Sequence, residues 1–225
     1  MRVEDNFSAI KAKIEEACER SGRNSEDIKV IAVTKYVSSE RTQEAIDAGV
    51  GHIGENRIEG MRDKQASTSG EATWHFIGSL QTRKVKDVLV NADYIHSLDR
   101  LSLAQEIQKR AMKPVNCFVQ VNTSGEESKH GLSPNEVIPF VKELEQYDKI
   151  IVVGLMTMAP FTEEEQVLRN CFKKLKELQL EVVNLKLSNA PCIELSMGMS
   201  NDFEIAIEEG STFIRVGTAL VGEDS

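Results

Sequence analysis

The sequence lacks the features that mark secreted, membrane-spanning or nucleic-acid-binding proteins. Its apolar runs are too short to span a bilayer, and Met1 to Asp5 do not have the basic and then apolar layout of a signal peptide. The 27 Lys and Arg are outnumbered by 36 Asp and Glu, and the formal charge of −9 argues against a general polyanion binder. We therefore expect no membrane and no nucleic acid partner. A local anion site stays open, because one phosphate needs only a few donors.

Cysteine and histidine are scattered. The 4 cysteines form no CxxC pair and no dense disulfide pattern, which favours a reduced, cytoplasmic protein. The 4 histidines form no HxxxH or HxH pair. We expect each histidine to be an interior or loop residue rather than a metal ligand, and we expect no metal site.

No Pro- or Ser-rich linker interrupts the chain, and the pattern is one of alternating strands and helices. A leading amphipathic helix covers Asp5 to Arg20, and about eight strand-then-helix units follow it. Such a series in 225 residues favours an α/β fold that closes into a single (β/α)8 TIM-type barrel over an open doubly wound sheet. We expect residues 1–225 to form one domain.

Some elements of this pattern are less regular. Cys192–Leu195 predicts a weak seventh strand that ends before a Ser196–Ser200 loop. Asn201 and Glu204 have the spacing of a capping box for the next helix. Pro139 fits the helix near 135–147 only if it lies in the first turn.

The run Lys29–Tyr36 (KVIAVTKY) is a β-branched apolar strand that predicts Lys35 at its carboxyl end. Alternation places Lys35 on the face of Ile31 and Val33, with Tyr36 on the opposite face. A lysine in apolar surroundings at the ligand-binding end of a strand can form a Schiff base with a carbonyl. For this run alone, a lysine that reaches into solvent is the simpler interpretation.

Barrel closure makes strands one, seven and eight neighbours, so three features meet at one rim. They are Lys35, the Ser196–Ser200 loop and the Arg215–Thr218 segment. Gly198 and Gly217 would let backbone amides approach an anion, and Ser196 and Thr218 add hydroxyl donors. A phosphate site beside a Schiff-base lysine suggests pyridoxal 5′-phosphate. Each part has a simpler interpretation, since Gly-rich turns are common and Arg215 could be an ion-pair partner.

Several runs are specific in combination: IAVTKY, HIGENR, WHFIG-x-LQ, QVNTSGEESKHG, GLMTM, ELSMGMSNDFEIAI and GSTFIRVGTAL. Together they resemble the YggS/PROSC family, the pyridoxal phosphate homeostasis proteins, from about Ile28 to Gly222. The resemblance implies the barrel of the alanine racemase N-terminal domain and pyridoxal 5′-phosphate as cofactor. It also implies the cofactor-binding residues: a Schiff base on Lys35, phosphate contacts from Ser196, Gly217 and Thr218, Arg215 at the pyridine nitrogen, and Asn56 and Met156 along the ring.

The same resemblance raises the question of catalysis. In the racemases, as the resemblance implies, a second base comes from an additional β domain and a partner subunit, and this chain ends soon after strand eight. Arg215 can only donate a hydrogen bond, which leaves the pyridine nitrogen unprotonated and weakens the electron sink. We therefore expect a homeostasis or carrier protein with little or no turnover, acting as a monomer, with apo-enzymes that use the cofactor as its partners. A narrow-specificity amino acid racemase and a Schiff-base aldolase of a sugar phosphate stay open.

Overall fold

Eight parallel strands form the sheet within residues 2–126 and 129–222, which the computed structural model describes. The strands are β1 (Lys29–Val33), β2 (His52–Glu55), β3 (Thr73–Phe76), β4 (Tyr94–Leu98), β5 (Val115–Gln120), β6 (Ile150–Met156), β7 (Glu194–Met199) and β8 (Phe213–Val216). Each strand pairs with the next in sequence, and β1 also pairs with β8, so the sheet is a closed barrel.

Helices follow the strands and cover the outside of the barrel. In the same residues they are α1 (Val3–Ser21), α2 (Ser39–Asp47), α3 (Ile58–Ser67), α4 (Val85–Asn91), α5 (Leu101–Arg110), α6 (Pro134–Leu144), α7 (Glu165–Asn184), α8 (Phe203–Glu208) and α9 (Thr218–Val221). The predicted TIM-type barrel with an extra N-terminal helix is therefore confirmed. Met1, residues 127–128 of the QVNTSGEESKHG run and residues 223–225 of the predicted domain lie outside the described residues.

The strands bury side chains on two faces, as parallel strands under a layer of helices must. A small cluster of Ile31, Phe118, Met156 and Phe213 fills the barrel interior. The larger cluster lies between the outer face of the sheet and the helices. The barrel interior also holds the polar side chains described below, beside the four residues of this cluster.

Helix α1 packs against α8 and α9, the two helices on either side of β8 in the sequence. Its buried stripe includes Ile10, Ile14 and Ala17, and Gly22 stops it in a left-handed conformation at φ 67°. The Asn6 side chain donates to the Leu220 carbonyl at 2.9 Å and links α1 to α9. The leading helix therefore supports the β8 side of the barrel.

Helix α6 contains a proline at a position that the sequence did not predict. It begins at Pro134 behind a capping box of Ser133 and Glu136, so Pro139 lies beyond the first turn. The prediction that Pro139 must lie in the first turn is wrong. Burial of the apolar face of α6 (Val137, Phe140, Val141 and Leu144) offsets the lost backbone hydrogen bond.

No helix in the part of the chain that the structure describes has the length and apolar composition needed to cross a membrane.

Candidate functional site

Lys35 lies in a turn and not in a strand. Strand β1 ends at Val33, and the Thr34 amide makes the last ladder contact, to the Gly54 carbonyl at 3.1 Å. The Val37 amide then donates back to the Thr34 carbonyl at 3.1 Å, which turns the chain. Lys35 is exposed there. The prediction of a strand-end lysine in apolar surroundings is therefore wrong, because the strand ends with its apolar run at Val33 and the chain turns before the lysine.

Tyr36 is close to the lysine. The Lys35 Nζ atom lies 4.7 Å from the centroid of the Tyr36 ring, and the tyrosine is 75% exposed. Alternation placed the two side chains on opposite faces, but alternation applies to an extended strand and these residues form a turn. The ring and the ammonium group thus share one exposed surface.

A buried ion pair holds this turn from below. Lys64 of α3 donates to Glu55 of β2 at 2.5 Å and also to the Thr34 carbonyl, and the Thr34 hydroxyl donates to Glu55 at 2.6 Å. All three side chains are buried. Because Thr34 is bound through both its carbonyl and its side chain, the backbone that leads into Lys35 is fixed.

Ser196 and Arg215 meet inside the barrel. Arg215 donates to the Ser196 hydroxyl at 2.6 Å and to the Thr157 carbonyl, just after β6, at 2.8 Å. Ser196 lies within β7, which runs on to Met199. The predicted Ser196–Ser200 loop is therefore wrong, and the strand directs the serine hydroxyl into the barrel.

Arg215 is a buried cation without an ion pair among the described residues. Only 5% of it is exposed, and burial lowers its pKa to about 10, so it stays charged at neutral pH. Asp202 acts on it only through longer-range attraction. The Asp202 carboxylate accepts instead from the Met199 amide at 2.5 Å, and burial raises the pKa of this carboxyl.

Asp202, rather than the predicted Asn201–Glu204 box, precedes α8. Gly198, with φ +95°, packs against this helix, because a Cβ there would lie 2.6 Å from the Ala206 Cβ. Gly198 therefore has a packing role, and its expected role in letting an amide approach an anion stays a prediction.

The remaining predicted residues lie around the same rim. Gly217 lies beside β1, since a Cβ on it would be 3.7 Å from the Val33 Cβ. Thr218 is exposed at the start of α9, and Asn56 is half-buried directly after β2. Met156 ends β6 in the interior cluster. The barrel thus places the predicted residues at the carboxyl-end rim or beneath it, with Lys35 exposed and Arg215 buried.

Three histidines form a hydrogen-bonded row across the barrel interior. His52 Nδ1 lies 2.9 Å from His75 Nε2, and His75 Nδ1 lies 2.8 Å from His96 Nε2. His96 Nδ1 lies 3.0 Å from Ser196 Oγ. The row therefore connects the start of β2, at the amino-terminal rim, with the Ser196–Arg215 pair.

Sequence reasoning placed these histidines in the interior or in loops but missed their connection. The signal was a histidine in each of three consecutive strands, which becomes informative only once the barrel register is known. Burial is the main cause that lowers the pKa of His52, and it lowers the pKa values of His75 and His96 well below the ordinary value. Among the described residues, no group of His, Cys, Asp and Glu is arranged to hold a metal ion.

Comparison with known proteins agrees with this fold. The family model described as "Alanine racemase, N-terminal domain" matches residues 6–225. A pyridoxal phosphate homeostasis protein from Aquifex aeolicus is 40% identical, over 99% of this chain and 99% of its own. A solved protein of unknown function from Bifidobacterium adolescentis has a TM-score of 0.92 and 34% identity, covering 97% of this chain and 94% of that one.

PipY from Synechococcus elongatus, solved with pyridoxal phosphate bound, has a TM-score of 0.85 and 28% identity and covers 98% of this chain and 100% of that one. The family match and the full-length relative agree with each other and with the fold. This chain belongs to the family of pyridoxal phosphate homeostasis proteins, built on the barrel of the alanine racemase N-terminal domain.

Proposed function

We propose that this chain binds pyridoxal 5′-phosphate as a Schiff base on Lys35 and acts in intracellular pyridoxal phosphate homeostasis, with little or no catalytic turnover. The observation that carries the proposal is the buried Arg215, which makes no ion pair with any described residue and donates to the Ser196 hydroxyl. A buried cation without an ion pair is costly, and both the lone pair of a pyridine nitrogen and a phosphate held at the neighbouring Ser196 would offset that cost. The exposed amine of Lys35 at the same rim supplies the nucleophile for an aldehyde.

The residues present fit a phosphorylated aldehyde. Ser196 has a hydroxyl proton that it can donate to a ligand, because Arg215 is a donor only and cannot accept that proton. Gly217 and Thr218 follow β8 and present backbone and hydroxyl donors beside β1. These three residues would hold the phosphate, and Arg215 would lie at the pyridine nitrogen.

Asn56 and Met156 would line the ring from opposite parts of the rim. Met156 is buried in the interior cluster, so it offers an apolar surface beneath a ring, and Asn56 is half-buried where β2 ends. Neither residue carries a charge that would compete with the phosphate.

The proposed arrangement suits storage better than turnover. Bound pyridoxal phosphate supplies an electron sink, and a protonated pyridine nitrogen strengthens that sink. Arg215 is protonated and can only donate, so it favours an unprotonated ring nitrogen. Lys35 lies in an exposed turn, where a cofactor can be released to an apo-enzyme. The names of the Aquifex relative and of PipY, given above, support the cofactor class.

Borohydride trapping tests the proposal. Purified protein incubated with pyridoxal phosphate should show a visible absorption band that borohydride bleaches, and peptide mass mapping should find the phosphopyridoxyl group on Lys35. The Lys35→Ala variant should lose both signals, whereas Lys113→Ala, a matched change of an exposed lysine, should keep them. A protein without a band, or an adduct on a different lysine, contradicts the proposal.

An amino acid racemase is the second candidate, and Tyr36 is the observation that favours it. Its ring lies beside the Lys35 ammonium, so a hydroxyl group is present near the proposed Schiff base. Loss of the α-proton from a panel of amino acids in deuterated water distinguishes the two functions. Fast, saturable exchange that needs both Lys35 and the Tyr36 hydroxyl supports the racemase, and its absence supports storage.

A further inference from the structure

We propose that His52, His75 and His96 form a proton wire that couples the state of the Ser196 hydroxyl to the amino-terminal rim of the barrel. The inference rests on the proposed function, because it assigns the Ser196 proton to a ligand phosphate. It concerns residues on the opposite side of Ser196 from the proposed ligand.

The chemistry of the row allows two ordered arrangements. A neutral imidazole has one N–H group and one acceptor nitrogen, and the buried positions keep these rings neutral. Each contact in the row joins an Nδ1 to an Nε2 or to the serine oxygen. Each hydrogen bond needs one proton, so the tautomer of one ring decides the tautomer of the next.

In the first arrangement, the Ser196 hydroxyl donates a hydrogen bond to His96 Nδ1. His96 then carries its proton on Nε2 and donates to His75 Nδ1, and His75 donates from Nε2 to His52 Nδ1. All three rings are Nε2–H tautomers. A mixed arrangement would place two protons or two lone pairs in one contact, and in a buried site either is costly.

In the second arrangement, the Ser196 hydroxyl donates its hydrogen bond to a ligand. The Ser196 oxygen already accepts from Arg215, and its remaining acceptor site takes a proton from His96 Nδ1. His75 then donates from Nδ1 to His96 Nε2, and His52 donates from Nδ1 to His75 Nε2. All three rings are now Nδ1–H tautomers.

The proton balance between the two arrangements is closed. The Ser196 proton moves to His96, the Nε2 proton of His96 moves to His75, and the Nε2 proton of His75 moves to His52. The Nε2 proton of His52 passes to water at the amino-terminal rim, where His52 is half-buried. Ser196 regains one proton from the ligand phosphate or from water in the pocket. The net result is the passage of one proton from the pocket to the opposite rim.

Packing holds the rings in place, so the row can respond to a ligand by a change of tautomer and not by a ring flip. His75 stacks on Tyr94 at 4.6 Å between centroids, and His96 stacks on Phe118 at 4.3 Å. His75 and His96 are fully buried. A flip of either ring would have to break these stacks, whereas proton transfer along contacts of 2.8–3.0 Å moves no heavy atom.

Long-range proton–nitrogen NMR of protein labelled with ¹⁵N-histidine tests the wire. Without ligand, His52, His75 and His96 should all be Nε2–H tautomers, and pyridoxal phosphate should exchange the protonated and unprotonated nitrogen signals on all three. His130, which is not part of the row, serves as an internal reference. Pyridoxal, which has no phosphate, should form the visible band without the exchange.

The Ser196→Ala variant provides the control for the coupling. It should keep all three rings in one tautomer whether or not pyridoxal phosphate is present. Cofactor loading is followed in the same samples by the visible band. Loading without any tautomer exchange overturns the wire and leaves the proposed function intact, as does a mixed set of tautomers in the free protein. A wild-type sample that stays colourless overturns the proposed function and, with it, the coupling of the wire to a ligand.

Discussion

The two sides of the candidate site are built differently. On the β1 side, Lys35 and Tyr36 lie in an exposed turn, and the order of that turn comes from a buried ion pair beneath it. On the β7–β8 side, Ser196 and Arg215 are buried and bind each other directly. An exposed group can react and release, whereas a buried group is fixed in place. The comparison therefore suggests that attachment and recognition are assigned to adjoining parts of the barrel, the exposed turn after β1 and the buried ends of β7 and β8.

The largest expected effect is the loss of the ion pair beneath the turn. Glu55→Leu leaves the buried Lys64 ammonium without its carboxylate, and such a change costs about 3–5 kcal/mol of unfolding free energy. Urea denaturation measures this cost. The turn before Lys35 should also lose order, so borohydride trapping on Lys35 should be slower in the variant.

A double variant separates charge from packing. Glu55→Leu with Lys64→Met removes both charges and should recover most of the lost stability, since an ion pair replaced by apolar side chains is often neutral. A double variant as unstable as Glu55→Leu alone would mean that the pair acts through shape and not through charge.

The second effect concerns pH and tests the buried side. Burial lowers the pKa values of His52, His75 and His96 below their ordinary 6.5, so the unfolded chain binds more protons there. The contribution of these histidines to the unfolding free energy is therefore fully present above about pH 6.5, and it is lost as the pH falls below that value. The slope reaches about 1.4 kcal/mol per pH unit for each of His75 and His96, whose pKa values are lowered well below the ordinary value, and it is smaller for His52.

Thermal or urea unfolding between pH 8 and pH 5 measures this slope. His75→Phe keeps an aromatic ring beside Tyr94 and should lower the slope by about 1.4 kcal/mol per unit, relative to its own stability at pH 8. His130→Gln, which changes an exposed histidine outside the row, is the control. The raised pKa of Asp202 acts in the opposite direction: its contribution to stability grows as the pH falls through that raised pKa and is complete below about pH 3.8. An unchanged slope in His75→Phe would contradict the assignment.

The sequence was sufficient for the barrel but not for the interior of the site. Strand β6, a continuous β-branched run, was predicted at Ile150–Met156 and has those bounds. The sequence predicts that β7 ends before Ser196, because Ser196 and Gly198 have no strand preference. Pairing with β6 and β8 extends the strand to Met199.

The polar interior depends on register. Arg215 was expected at the end of β8, but its partner, the Thr157 carbonyl, is a backbone atom that no side-chain pattern reveals. The histidine row similarly requires the stagger of three neighbouring strands. Local pattern thus predicts which residues face inward, and only closure determines which of them meet.

The third prediction separates recognition from stability on the buried side. Arg215→Met removes a buried charge that has no ion pair among the described residues, so the unfolding free energy of the ligand-free protein should fall by no more than about 1 kcal/mol. Affinity for pyridoxal phosphate should fall about 10- to 100-fold, as expected for a lost hydrogen bond to a charged group. Equilibrium titration of the visible band measures the affinity. An unchanged affinity would exclude Arg215 from the ligand site.

The smallest effect is expected at Tyr36, and it tests whether the exposed side is only a point of attachment. The ammonium–ring contact at 4.7 Å is exposed, so Tyr36→Leu should change the unfolding free energy by at most about 1 kcal/mol. Tyr36→Phe keeps the ring and removes only the hydroxyl, and it should form the Lys35 adduct at the wild-type rate. Stopped-flow measurement of band formation compares the two variants. If Tyr36→Phe slows formation as much as Tyr36→Leu does, the hydroxyl takes part in proton transfer at Lys35, and the exposed side then carries chemistry as well as attachment.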